Sequence, residues 1–300
     1  MTARTNDEGG YVAVVSIVLI LAIMVGAYAR AITSDVPRWG AESERAWEAQ
    51  IVSSMGEVAS ATASFTGSGA KVSIPPMPLA RALDVPLIGQ TAPAPASGAV
   101  AFDGDCASFS ASHTSADGTQ TTDIVDAAPG CIAFHGAMAY SPSFSYVVEF
   151  GGLVRVQSEG AVVLHGLPLD VTIEDGLHRV TLGVASLAGA PTSISAEGTT
   201  TEVQVTPTSL SPERASRPNA AEVEWELETT NAAAWKLWFE NELRDEGLTP
   251  GDHFSVTCAP ISCASSPSDP ALVKVSLSGP GSGDDVAVAI AHGSYAVQLS

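Results

Sequence analysis

Hydrophobic and polar positions divide the chain into three regimes. The first is the run Tyr11–Ile32, YVAVVSIVLILAIMVGAYARAI, in which no charge occurs between Tyr11 and Ala29. A hydrocarbon layer about 30 Å thick takes roughly 20 such residues as a helix, so the run predicts a membrane-inserted helix over 11–32. The second regime, 33–63, has helical period. Trp39, Ala46, Trp47, Ile51, Met55 and Val58 recur at three- and four-residue spacings, with Glu42, Glu44, Arg45 and Glu48 between them. That pattern predicts an amphipathic helix continuing from the anchor, capped anew at Thr33, Ser34 or Asp35, with Pro37 in its first turn. Trp39 is placed to sit at a membrane interface, while Trp47 and Met55 read as packing against the domain beyond.

Residues 64–99 break both patterns. Thr66-Gly-Ser-Gly-Ala, Ile74-Pro-Pro-Met-Pro and Thr91-Ala-Pro-Ala-Pro-Ala suit a Pro/Gly-rich connector or extended edges rather than helix interiors. From Val100 to Ser300 the third regime is a succession of short runs rich in Val, Leu, Thr and aromatics, beginning with Ser143–Phe150 and ending with Tyr295–Leu299. Gly151–Gly152, Asp175-Gly176 and Glu197-Gly198 separate several of them as turns. Glu222-Val-Glu-Trp-Glu-Leu-Glu alternates strictly, which turns Val223, Trp225 and Leu227 toward a core and four glutamates toward water. Such a charged row suits a strand that must resist edge-to-edge pairing. One helix interrupts the strands. Ala232–Glu246 carries Trp235, Trp238, Phe239 and Leu243 on one stripe, with Thr230 or Asn231 as its cap and Gly247 as its stop. The fold class expected is therefore mainly β: a transmembrane helix, an amphipathic stalk, and a β-sandwich-like outer domain with one inserted helix. Pro207–Pro218 is the one internal joint that composition offers.

Charge narrows the partners. The chain holds 33 acidic and 13 basic residues, for a net charge of −20. Such a field repels nucleic acid and anionic bilayer surfaces from the soluble part. The bilayer itself is expected as partner only through 11–32. Four cysteines lie at 106, 131, 258 and 263. Their positions pair naturally as Cys106 with Cys131 and Cys258 with Cys263, although four cysteines allow three connectivities, and free thiols or a metal site are the competing readings. Paired cysteines place the C-terminal bulk outside the cell, with the leader 1–10 left as a short polar tail.

The chemistry of common active sites is not written in this chain. It contains no G-x-S-x-G elbow, no H-E-x-x-H, no complete phosphate loop and no G-x-G-x-x-G after a strand. Gly67-Ser-Gly-Ala-Lys71 is only a fragment of a phosphate loop. The six histidines, at 113, 135, 165, 178, 253 and 292, stand singly. Asp103-Gly-Asp105, with Asp117, Asp123 and Asp126 beyond, offers carboxylate oxygens to calcium, yet it lacks the twelve-residue loop spacing and reads as a solvated acidic loop. No N-x-S/T acceptor is present. Neither catalytic residues nor cofactor or metal ligands are assigned.

The layout resembles archaeal type IV pilin-like surface proteins. The residues that carry the resemblance are the short polar leader ending at Gly9 or Gly10, the apolar Tyr11-Val-Ala-Val-Val start, the Phe150-Gly-Gly-Leu-Val hairpin, the Leu-Ala-Gly strand region, and the helix Thr-Thr-Asn-Ala-Ala-Ala-Trp-Lys-Leu-Trp-Phe. Asp7-Glu8 stands where the family carries a basic pair, and the apolar helix lacks the early glutamate of many bacterial pilins. The resemblance implies a prepilin-type peptidase acting after Gly9 or Gly10, and homo- or hetero-assembly through the N-terminal helix. The function expected is a non-enzymatic, single-pass cell-surface protein that displays an acidic β-domain. A membrane-tethered extracellular binding module or hydrolase is the alternative. A compact pocket that gathers two of Asp103, Asp105, Asp123 and Asp126 with a histidine would favour it. A third reading is a plain single-span protein whose outer domain binds a partner.

Overall fold

A computed structural model describes residues 7–64, 71–85, 89–115, 120–127, 129–174, 177–195, 200–259, 263, 269–279 and 286–300. It opens on one uninterrupted helical rod, α1 (Asp7–Arg30), a π turn (Ala31–Asp35) and α2 (Val36–Ala63). The π turn has a local cause. Pro37 has no N–H to give the Thr33 carbonyl four residues back, and its ring crowds that oxygen. The chain widens instead: Val36 N–H bonds the Ala31 carbonyl, and the Thr33 and Ser34 hydroxyls donate to the Ala29 and Arg30 carbonyls at 2.8 Å. No new helix start forms here, and Asp35, expected as a cap, makes no side-chain capping bond. Residues 12–30 are exposed along their whole length, whereas Trp47, Ile51, Met55, Val58 and Ala59 of α2 are fully buried.

The strands follow. They are β1 (Val72–Ser73), β2 (Met77–Pro78), β3 (Ala80–Val85), β4 (Gly89–Asp103), β5 (Ala107–Ser115), β6 (Gln120–Ala127), β7 (Cys131–Met138), β8 (Phe144–Glu149) and β9 (Gly152–Gln157). Next come β10 (Gly160–His165), β11 (Leu169–Glu174), β12 (Leu177–Ala188), β13 (Thr192–Ser195), β14 (Thr200–Thr201) and β15 (Val203–Thr229). Helix α3 (Ala232–Asp245) then precedes β16 (Phe254–Ala259), β17 (Ala271–Ser278) and β18 (Val286–Leu299). Among the described residues a nine-stranded sheet has the path β11-β12-β18-β15-β17-β16, with β5 pairing β15 and β6, and β1 pairing β15. A seven-stranded sheet runs β10-β9-β8-β7-β4-β13, with β3 on β4. The chain is mainly β, as its alternation predicts.

Two apolar clusters fill the domain. One holds Trp47, Ile51 and Met55 of α2 against Phe102, Phe134, Phe144 and Tyr146 of the seven-stranded sheet. The other holds Trp235, Phe239 and Leu243 of α3 against Val223, Trp225 and Leu227 of β15 and Val273 and Val275 of β17. Long strands pass from one cluster to the other. On β15, Val203 and Val205 belong to the first and Val223 to Leu227 to the second; β12 and β18 divide similarly. The proline-rich stretch 207–218, expected as a joint, therefore lies inside β15, whose pairing with β18 continues across it with register shifts that accommodate the prolines. Residues 64–99 likewise do not form a free connector. Where described they supply β1 to β4, and Met77 and Leu79 are fully buried. The glutamate row of β15 is central rather than an edge, since β17 and β5 both pair with residues 222–229. Its charge is met in part by Lys274, whose ammonium lies 2.7 Å from Glu224.

The β8–β9 hairpin shows how one turn is fixed. Glu149 pairs Gly152, so the two turn residues are Phe150 (φ 58°) and Gly151 (φ 96°), one position before the expected Gly151–Gly152. Positive φ at both turn positions matches the twist of the flanking strands. Phe150 accepts that conformation because its ring is fully buried against Phe109 and Trp235. Gly152 serves a different need, since a Cβ there would stand 2.5 Å from the Trp235 ring and 2.9 Å from the His165 carbonyl. Gly152→Ala is expected to cost about 1–3 kcal/mol by overpacking, read as a lower urea midpoint at unchanged slope.

Candidate functional site

Three carboxylates that sequence periodicity assigned to water, or did not mark, instead tie the helices to the sheets. Glu44 is only 1% exposed. Its Oε1 accepts the backbone N–H groups of Ala139 and Tyr140 at 2.7 and 3.0 Å. One turn on, Glu48 accepts the Tyr146 hydroxyl at 2.7 Å and Arg155 Nη2 at 2.6 Å, and Trp47 Nε1 donates to the Pro78 carbonyl at 2.8 Å. Burial, aided by the Glu48 charge, pushes the Tyr146 hydroxyl far above its ordinary range. These contacts seat α2 on the seven-stranded sheet. Glu149, also 1% exposed, does the same for α3: it accepts Thr229 Oγ1 at 2.8 Å, Asn231 Nδ2 at 3.2 Å and Trp235 Nε1 at 2.5 Å. Asn231, expected as the cap of α3, turns its side chain to Glu149 and makes no capping bond. The stop at Gly247 is as expected, with Leu248 N–H on the Leu243 carbonyl and Gly247 N–H on that of Arg244.

A cleft opens where the two sheets meet. It has a volume of about 540 Å³, walled by β4, β7 and β8 on one side and by β5, the end of β15 and Pro270 on the other. The Cys106–Cys131 disulfide stitches the sheets together in its wall, and Cys258–Cys263 closes a short loop elsewhere. The pairing favoured by position is the one formed. Asp103, Asp105, Glu149 and Glu228 line the cleft together with Ser108, Thr230 and His135. Asp103 Oδ1 accepts the Asp105 N–H at 3.1 Å, and Ser108 donates to Glu228 at 3.3 Å. His135 Nδ1 lies 2.8 Å from Ser145 Oγ. Burial pushes the Glu149 carboxyl above its ordinary range against the pull of its three donors.

The structure thus brings together Asp103, Asp105 and a histidine, the gathering named above for a binding or hydrolytic pocket. Asp123 and Asp126 lie on β6, and Asp117 lies outside the described residues. So do 67–70 of the phosphate-loop fragment. Sequence reading gave Glu149 no role and set Glu44, Glu48 and Glu228 among polar positions turned away from the core. Gly9 and Gly10 lie within α1, and Ile32 within the π turn. Among the described residues no group of three or more His, Cys, Asp and Glu side chains is arranged to hold a metal ion. No protein-family model, characterised protein or solved structure matches the chain.

Proposed function

We propose that this is a non-enzymatic membrane-anchored surface protein, pilin-like in layout, whose rod-like N-terminal helix holds an acidic β-domain away from the bilayer. The observation that carries the reading is the division of labour along one continuous 52-residue helix, Val12–Ala63. Its apolar half buries none of its residues in the protein, and its other half is built into the β-domain. An uncharged surface of that size is stable only against lipid or neighbouring helices. The two disulfides support an oxidising exterior for the domain.

Liposome flotation tests the anchor. The full chain is expected to float, and a chain lacking 12–30 to remain in the soluble fraction with both disulfides formed. Flotation of the shortened chain would overturn the reading. Intact mass from native membranes separates its two forms: loss of the first nine or ten residues supports pilin-type processing and assembly, while retention of them leaves a single-span anchor. A second reading, a tethered binding module or hydrolase, is favoured by the cleft. We carry forward its binding form, because the His135 Nδ1 is engaged with Ser145 rather than with a cleft carboxylate.

A further inference from the structure

The cleft is one end of a longer groove. Two further depressions, about 320 and 380 Å³, adjoin it on the face of the seven-stranded sheet turned away from α2, and His135 lines all three. The register explains the shape. Ala101, Ala133 and Val147 stand side by side on β4, β7 and β8, Ala99, His135 and Ser145 form the next row, and Ser97 and Ala137 the row after. Apart from His135 and Val147, small side chains across neighbouring strands leave a low floor that another backbone can approach closely, while Asp103, Asp105 and Glu228 stand at one end. Among the described residues no Lys or Arg lines any of the three depressions.

We propose that this groove docks an extended, lysine- or arginine-bearing segment of a partner protein. The proposal rests on the binding-module reading of the cleft and gives that reading its ligand. Charge complementarity selects the occupant. The carboxylates of Asp103, Asp105 and Glu228, with no Lys or Arg among the described residues of the lining, attract a cation, and a wall of low polarizability focuses their field. A second copy of this chain, at a net charge of −20, would be repelled. Among the described residues the floor has no Phe, Tyr or Trp platform on which sugar rings or bases stack: Phe144, the one such residue in the lining, is 3% exposed with its ring packed on Phe134, Tyr146 and Trp47 beneath. An extended peptide laid along the Ala and Ser rows would place its alternate side chains downward, with an ammonium or guanidinium reaching Asp105 and Glu228.

The test uses the full chain in nanodiscs of neutral lipid. A fluorescent acetylated peptide of alternating Ala and Lys is titrated beside an all-Ala/Ser control and an uncharged hexasaccharide, at low and physiological salt. Saturable binding of the Lys peptide is expected, weakened about tenfold or more by Ala133→Trp, which raises the floor, and by D103N/D105N/E228Q, which removes the charge. Should Ala133→Trp fail to fold, judged by its near-UV spectrum, the exposed Ala137→Trp replaces it. Lys-peptide binding that ignores the floor variants would mean attraction to the acidic surface at large and would overturn the proposal. Groove-dependent binding of the hexasaccharide alone would overturn it while leaving the binding-module reading intact. Binding of none of the three would sink both.

Discussion

Replacing Glu149 by Ala is expected to destabilise the β-domain by about 3–5 kcal/mol, a large part of the roughly 5–15 kcal/mol that holds a domain of this size. The side chain is buried, and its two oxygens accept from Trp235 Nε1, Asn231 Nδ2 and Thr229 Oγ1. Truncation leaves those donors in an apolar surround at the start of α3, beside Phe150 and Phe239. Glu149→Gln gives a sharper result. Its amide oxygen can accept from Trp235 and Asn231 while its NH₂ donates to the Thr229 hydroxyl, and it cannot ionise. Burial raises the Glu149 carboxyl above its unfolded value, so the folded state holds a proton at pH values where the unfolded chain has released it. The stability this confers is complete below the ordinary carboxylate range and is lost as pH rises through the folded value. Glu149→Gln should therefore match the parent near pH 4 and exceed it near pH 8, with the difference growing between. Guanidinium denaturation across that range measures it. A constant difference at every pH would show that Glu149 binds its proton equally in the folded and unfolded states.

What could be read from the sequence was whatever depends on near neighbours. The apolar run before Ala31, the stripe Trp47, Ile51, Met55, the alternation at Val223, Trp225 and Leu227, and the stop at Gly247 are all set within a few residues, and each stands where its pattern placed it. What could not be read depends on partners far along the chain. Glu44 meets Ala139 and Tyr140 some 95 residues on, and Glu149 meets Asn231 and Trp235 more than 80 residues on. A glutamate in an amphipathic pattern reads as solvent-facing unless the donors that desolvate it are known. The cleft is hidden for the same reason: Asp103 ends β4 and Asp105 follows it, whereas Glu149 ends β8 and Glu228 lies near the end of β15. Residues 64–99 misled through composition, because Ala-Pro repeats look like linker until β3 is seen to pair with β4 on either side of them and β7 to pair from Ala96 onward.

Truncating Trp47 should be the most damaging single change to the attachment of the N-terminal helical rod to the β-domain. Its indole is fully buried, edge-on to Phe134 and Phe144 at 5.6 and 5.8 Å, and its Nε1 donates to the Pro78 carbonyl. Trp47→Ala removes the largest side chain that α2 sends into the sheet and opens a void that the flanking rings fill only in part. A cost of about 3–5 kcal/mol is expected from packing. Trp39 supplies the control. It lies on the same rod nearer the π turn and is only half-buried, so Trp39→Ala should cost about 1 kcal/mol or less if it contributes surface contact alone. The two variants also separate stability from coupling. Glu44 and Glu48 still hold α2 in Trp47→Ala, so the helix should remain on the sheet at low denaturant and detach before the strands unfold, seen as early loss of amide-exchange protection in α2. Simultaneous loss of protection in α2 and in β7 to β9 would show instead that the rod and the sheet form one cooperative unit. In that case force or rotation applied to the apolar N-terminal helix passes into the wall of the cleft, since Tyr146, which grips Glu48, lies on β8, the strand that also supplies Val147 and Glu149 to that wall.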